Sequence, residues 1–148
     1  QPSFIKKRDG SVTAMMRDNG LPKRIRVANS NDGGLTWSPV LPSEIPNPGS
    51  SVECIALKNG NWTLVCNDTM DGRHILTAYL SDDEGATWKW KRPLESVEKD
   101  KGSFSYPSVI QSADGTIHCT YSYSTPDVKG SSIKHAHFSE EWIREAAK

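Results

Sequence analysis

The sequence predicts an all-β repeat fold: a partial β-propeller of about three four-stranded antiparallel blades, followed by a short C-terminal helix. Three observations carry this. One eight-residue pattern, S-x-D-x-G-x-T-W, occurs twice, from Ser30 to Trp37 and from Ser81 to Trp88. Three hairpin dipeptides, Asp9-Gly10, Asn59-Gly60 and Asp114-Gly115, recur with a period of about fifty residues. Each dipeptide sits between two strand-like runs, and in the first two repeats a third run leads into the eight-residue pattern. Fixed-period self-similarity with short strands in fours marks propeller blades.

The first blade, about residues 1–45, pairs Pro2-Ser3-Phe4-Ile5 with Val12-Thr13-Ala14-Met15-Met16 around Asp9-Gly10. Glycine supplies the φ > 0 that the turn needs, and aspartate bonds its own backbone. Arg24-Ile25-Arg26-Val27-Ala28-Asn29 is its third strand. The second blade, about 46–100, repeats the plan with the runs Val52 to Leu57, Trp62 to Cys66 and His74 to Leu80. The third blade, about 101–138, has the runs Pro107 to Ile110, Ile117 to Tyr121 and Ser131 to Phe138, with no eight-residue pattern and no obvious fourth strand after them. Ser139 then caps a helix over residues 139–148, with Glu140 and Glu141 at its positive end and Lys148 at the other. Glu140 and Arg144 stand at i, i+4, and Trp142, Ile143 and Ala146 are expected to pack on the last blade.

Composition removes several classes of partner. Eighteen basic and eighteen acidic residues cancel, and no basic stripe stands out, so neither nucleic acid nor an anionic membrane is expected. No apolar run approaches the ~20 residues that span a bilayer. Cys54, Cys66 and Cys119 form no ligand cluster; they read as buried reduced thiols, with a Cys54–Cys66 cross-strand disulfide as the alternative. No cofactor or metal is called for. His135 and His137 share a strand face, but no third ligand is in sequence reach.

The eight-residue pattern resembles the Asp box, or bacterial neuraminidase repeat, of sialidases and sialidase-like propellers. Asp, Ser and Thr can bond the loop's own backbone, and Trp folds back as an apolar plug, so the box is a structural staple. The succession Gln1-Pro2-Ser3, Met16-Arg17-Asp18, Pro46-Asn47-Pro48-Gly49-Ser50, Tyr106-Pro107-Ser108 and Ile133-Lys134-His135 is similar to the C-terminal half of bacterial sialidase-like proteins. Propellers close with ~4–8 blades. Three blades therefore imply either the C-terminal half of a longer ring or two copies that pair as a homodimer to complete six blades.

The resemblance implies a site for an acidic glycan. A sialic acid carboxylate needs guanidinium groups, and the oxocarbenium-like transition state needs a nucleophile, which in sialidases is a tyrosine activated by a glutamate. Arg17, at the end of a second strand, and Tyr106, at the opening of the third blade, match the family positions. The family's glutamate would fall near Gln1 or Pro2, where no acid stands; Glu53, one blade later, is the acid at the corresponding place. The positions equivalent to Arg17 in the other blades are Asn67 and Ser122, so the arginine cluster is not expected to be completed here. The family's acid/base aspartate and first arginine belong to the other half. Asp18, Lys134 and His135 complete the candidate substrate-binding set, and Arg17, Glu53, Tyr106 and Lys134 are expected to share one mouth of the channel. The Asp boxes should lie on the opposite side with Trp37 and Trp88 buried. Three functions follow: a sialidase-type glycoside hydrolase when the propeller is whole, a polysaccharide lyase-type propeller, or a non-catalytic glycan-binding or assembly module.

Overall fold

The structure, a computed structural model, describes residues 2–145. It contains eleven strands in three antiparallel sheets and one helix. The first sheet has the order β1 (Pro2–Lys6), β2 (Val12–Met16), β3 (Arg24–Ser30), β4 (Leu41–Pro46). The second has β5 (Glu53–Ala56), β6 (Trp62–Asn67), β7 (Ile75–Ser81), β8 (Trp90–Ser96). The third has, among the described residues, three strands, β9 (Ser103–Gln111), β10 (Ile117–Ser124) and β11 (Ser132–Phe138). This is a partial, unclosed propeller.

Burial follows each sheet's place in the stack. The strand β1 alternates exposed and buried along its length, because only one of its faces meets another sheet. The strands β6 and β7 are buried almost throughout, because the second sheet is covered on both faces. One core lies between the first and second sheets and includes Ile5, Met15, Ile25, Trp62, Leu64 and Tyr79. The other lies between the second and third and includes Val65, Leu76, Phe104, Val109, Ile117 and Tyr121. Near the axis, the Ser3 hydroxyl both donates to the Cys54 carbonyl (3.2 Å) and accepts from the Cys54 N–H (3.0 Å), joining β1 to β5.

Each first hairpin uses the same turn. Gly10, Gly60 and Gly115 have φ of 89°, 90° and 94°, the left-handed region that favours glycine. The side chains of Asp9, Asn59 and Asp114 accept the N–H two residues on. The turns also hold one another. Arg8 donates its guanidinium N–H to the Asn59 carbonyl, and Lys58 donates its ammonium to the carbonyls of Ser112 and Ala113.

The Asp boxes are closed hydrogen-bond rings. Asp32 accepts from the Thr36 N–H and hydroxyl and from the Ser30 hydroxyl, while Ser30 accepts the Gly34 N–H. Asp83 repeats this with Thr87 and Ser81. Bonding to Thr36 holds the Asp32 carboxyl down at about 2, and Thr87 and Ser81 hold Asp83 at about 2 against the opposing effect of desolvation. The Arg8 N–H donates to the Glu84 carboxylate (2.8 Å), so the second box lies at the hairpin-turn side of the sheets. Trp88 packs edge-on to Tyr79 and lies partly buried against the inter-sheet core. Trp37 corrects the expectation of burial: it is 39% exposed and packs beside Phe4, since no sheet of the described residues packs on that face.

The helix α1 (Glu140–Glu145) also departs from expectation. The Ser139 hydroxyl caps it by accepting the Trp142 N–H (3.2 Å), and Ile143 is fully buried in the second core. It docks against the second sheet as well as the last one. Arg92 of β8 donates to the Trp142 carbonyl and lies 4.2 Å from its ring, and Arg144 lies 3.8 Å from the Trp90 ring. The aromatic and guanidinium surfaces of β8 offer this helix a larger partner than the narrow edge of β11. Ala146 and Lys148, read as packing and dipole residues, lie outside the described residues, as does Gln1. The three cysteines are free and buried, and Cys54 faces Leu64 rather than Cys66, which removes the disulfide alternative.

Candidate functional site

Tyr106 is the centre of the candidate site, and the backbone presents it there. Between Thr120 and Ser122 the pairing of β10 with β9 slips, leaving a β-bulge around Tyr106. The residue itself has φ of 55°, uncommon for anything but glycine and a local cost of order 1–3 kcal/mol. A bulge re-aims a side chain. Phe104, Ser105 and Pro107 are buried around it, whereas Tyr106 is 46% exposed.

Two hydrogen bonds from the second sheet fix this segment. The Asn67 side-chain amide, fully buried at the end of β6, donates to the carbonyls of Phe104 and Ile75, both at 2.9 Å. The Phe104 N–H donates to the Arg73 carbonyl at 2.8 Å. Arg73, in the loop between β6 and β7, is thereby tied beside the bulge. Its guanidinium donates to the Ser105 hydroxyl (3.3 Å) and lies 5.2 Å from the centroid of the Tyr106 ring.

Arg17 reaches the same phenol from the first sheet, where it directly follows β2. The neighbouring guanidinium groups, Arg17 first and then Arg73, favour the ionised phenol and hold the Tyr106 hydroxyl below the usual tyrosine range. The arrangement is a nucleophile-capable oxygen flanked by two guanidinium groups, which can receive a planar anion beside a phenol predisposed to ionise.

The arginine cluster is not completed here, as expected from Asn67 and Ser122, but Arg73 adds a second guanidinium that comparison by strand position does not reveal. Asn67 is a backbone clamp, and the second guanidinium comes from the loop six residues later. No periodic signal marks Arg73; only the fold brings it to Tyr106.

The other sequence candidates are placed differently. Asp18 accepts from the Arg26 guanidinium at 2.6 Å and from the Gly20 N–H at 2.9 Å, so both its oxygens organise the turn after β2. Glu53 opens β5, half-buried, with burial raising its carboxyl. Burial raises the Cys54 and Cys119 thiols, the latter to about 12, and the Glu53 charge adds to both. The charges that act most strongly on Tyr106 are those of Arg73 and Arg17. Lys134 is held by an ion pair with Glu95 of β8 and lies 4.7 Å from the Tyr123 ring. Glu95 also accepts from the Tyr121 hydroxyl at 2.6 Å, so Lys134 belongs to the seam between the second and third sheets.

His135 stacks in a ladder with His118 and His137 on the open face of the third sheet, and its Nε2 lies 3.0 Å from His118 Nδ1. His118 is the neighbour that strand spacing alone does not reveal. Among the described residues no group of three His, Cys, Asp or Glu side chains is arranged to hold a metal ion.

Residues 1–119 match the family described as BNR repeat-like domain. A sialidase of Micromonospora viridifaciens is 28% identical over 145 residues, which take in 91% of this chain and 21% of that protein. Among solved structures, the intramolecular trans-sialidase of Ruminococcus gnavus in complex with oseltamivir carboxylate superposes with a TM-score of 0.79 at 19% identity, covering 96% of this chain and 33% of that one. The GH93 α-L-arabinofuranosidase of Fusarium graminearum in complex with arabinobiose superposes at 0.68 with 15% identity, covering 93% and 44%. At these identities the superpositions speak for the fold. The chain spans about a fifth of the curated relative and a third or less of the sialidase structures it matches.

Proposed function

Because the chain belongs to the family of BNR repeat-like domains, we propose that it forms the nucleophile-bearing part of an exo-α-sialidase-type glycoside hydrolase. Arg17 and Arg73 bind the carboxylate of an acidic sugar, and Tyr106 attacks the anomeric carbon from one face. The observation that carries this reading is the Tyr106 phenol, turned out of its strand by the bulge and set between two guanidinium groups. Paired planar donors suit a carboxylate, and a depressed phenol raises the fraction of phenolate available for attack. A tyrosine is the known nucleophile of sialidases among retaining glycosidases. Glu53, half-buried and without an ion-pair partner among the described residues, is the acid at hand for proton transfer in the channel. Asp18 supports the site by holding Arg26, Lys134 pairs with Glu95 at the seam between the second and third sheets, and His135 stacks with His118 and His137 on the open face, so none of the three is assigned to the substrate.

Binding of free N-acetylneuraminic acid to this chain tests the recognition step. Arg17→Ala and Arg73→Ala should each weaken it about ten- to a hundredfold, the effect of losing a charged hydrogen bond worth about 1.5–3 kcal/mol. Unchanged affinity in both variants overturns the reading. For the reaction, a polypeptide carrying the whole propeller should release the fluorophore from a sialoside, and Tyr106→Phe should abolish release. Appearance of unsaturated uronate absorbance instead identifies a lyase.

A further inference from the structure

Asn67 occupies in the second sheet the repeat position that Arg17 holds in the first, but its side chain is fully buried. Its amide nitrogen faces two carbonyl oxygens, those of Ile75 and Phe104, so both N–H groups are used. Its Oδ1 accepts no hydrogen bond among the described residues. A buried acceptor left unpaired is costly, and native folds contain few of them. The fold bears that cost and keeps both N–H groups on their carbonyls, one of which lies two residues before Tyr106.

That carbonyl opens the bulge. Phe104 is buried, and its N–H and its carbonyl both bond to the second sheet, the first to Arg73 and the second to Asn67. Two residues on, Tyr106 has its left-handed φ, and Pro107 has no N–H with which to resume the ladder. Such a conformation persists only where its surroundings over-determine it. Arg73 is tied through the same Phe104, and its guanidinium reaches the Ser105 hydroxyl and the Tyr106 ring. One buried amide thus stands behind both the exit of the phenol from β9 and the approach of Arg73, although it bonds to neither side chain.

Resting on the sialidase-type reading, we infer that Asn67 is a positioning residue for that reaction: by anchoring Phe104 it keeps the Tyr106 phenol turned out of its strand and set between Arg17 and Arg73. Tyr106 makes the attack, and Asn67 fixes where its oxygen stands.

Asn67→Ala removes both bonds, and Asn67→Ser keeps one donor. Leu80→Ala, in the buried core of the same sheet, is the control that loosens packing without removing a bond to Phe104. Ring-carbon NMR shifts of Tyr106 against pH should show its midpoint rising towards about 10 in Asn67→Ala, rising less in Asn67→Ser and staying in place in Leu80→Ala. In a polypeptide carrying the whole propeller, Asn67→Ala should lower kcat for a fluorogenic sialoside about ten- to a hundredfold and change KM little, because both guanidinium groups remain. In the unsubstituted chain, the Asn67 side-chain amide protons should exchange slowly with deuterium. A Tyr106 midpoint or a kcat left at its wild-type value by Asn67→Ala, an equal displacement by Leu80→Ala, or Asn67 amide protons that exchange as fast as exposed ones would each overturn the positioning role and leave the sialidase-type reading standing. If the unsubstituted propeller releases no fluorophore, that reading falls, and the role of Asn67 in it falls too.

Discussion

At the scale of single residues, the Tyr106 phenol and the Glu53 carboxyl are perturbed in opposite senses by different causes. Arg17 and Arg73 favour the ionised form of Tyr106, so its hydroxyl should titrate below the ordinary value of about 10. Replacing either arginine by alanine should move it back up. Ring-carbon NMR shifts of Tyr106 against pH would show this, and a midpoint unmoved in both variants would contradict it. Burial alone raises Glu53, which has no ion-pair partner among the described residues. A carboxyl raised on folding contributes most below its unfolded pKa of about 4.3 and loses that contribution as pH rises through its folded value. Glu53→Gln should therefore raise the melting temperature at pH 7 and change it little near pH 3. Equal gains at both pH values would mean that packing, and not charge, is responsible.

At the scale of elements, the repeated turns and boxes are self-contained, but their packing is not equivalent. A Cβ at Gly10 would meet nothing within 4 Å, whereas one at Gly85 would lie 2.9 Å from the Trp62 ring. Both glycines have positive φ, a conformation that costs an L-residue roughly 1–2 kcal/mol. Gly85→Ala should add an overpacking cost of about 1–3 kcal/mol to that, so it should destabilise clearly more than Gly10→Ala in urea unfolding. Similar losses in the two would place the second Asp box away from the core. The acids of the boxes set a pH limit as well. Their carboxyls, depressed to about 2, contribute stability above about pH 4 that is lost as pH falls towards 2. Asp83→Asn should therefore flatten the acid limb of a stability–pH curve, and an unaltered limb would show that the ring does not persist in solution.

At the scale of the whole molecule, the two outer sheets leave apolar side chains uncovered. Phe4 and Leu41 are 59% and 63% exposed on the first sheet, and Ile110 and Ile133 are 63% and 72% exposed on the third. Pairing of two copies would bury both faces and bring the number of blades to six, within the range that closes a ring. Sedimentation at micromolar concentration should accordingly find a dimer for this polypeptide, and a well-folded monomer would exclude that assembly.

The sequence alone determined what depends on local chemistry: the hairpin turns, the two Asp boxes and the three-sheet order. Each is encoded by residues a few positions apart that bond one another, such as Ser30 with Asp32 and Gly34, so its signal survives without the rest of the chain. Arg17 and Tyr106 were legible for a related reason, because blade period and strand ends place them. Tertiary structure decided the remainder. Arg73 joins Tyr106 through the Phe104 and Asn67 hydrogen bonds between sheets, Lys134 is drawn to Glu95, and α1 turns back to β8. Those outcomes rest on contacts between residues far apart in the chain, where long side chains find whichever charge or ring the packing of neighbouring sheets brings within reach.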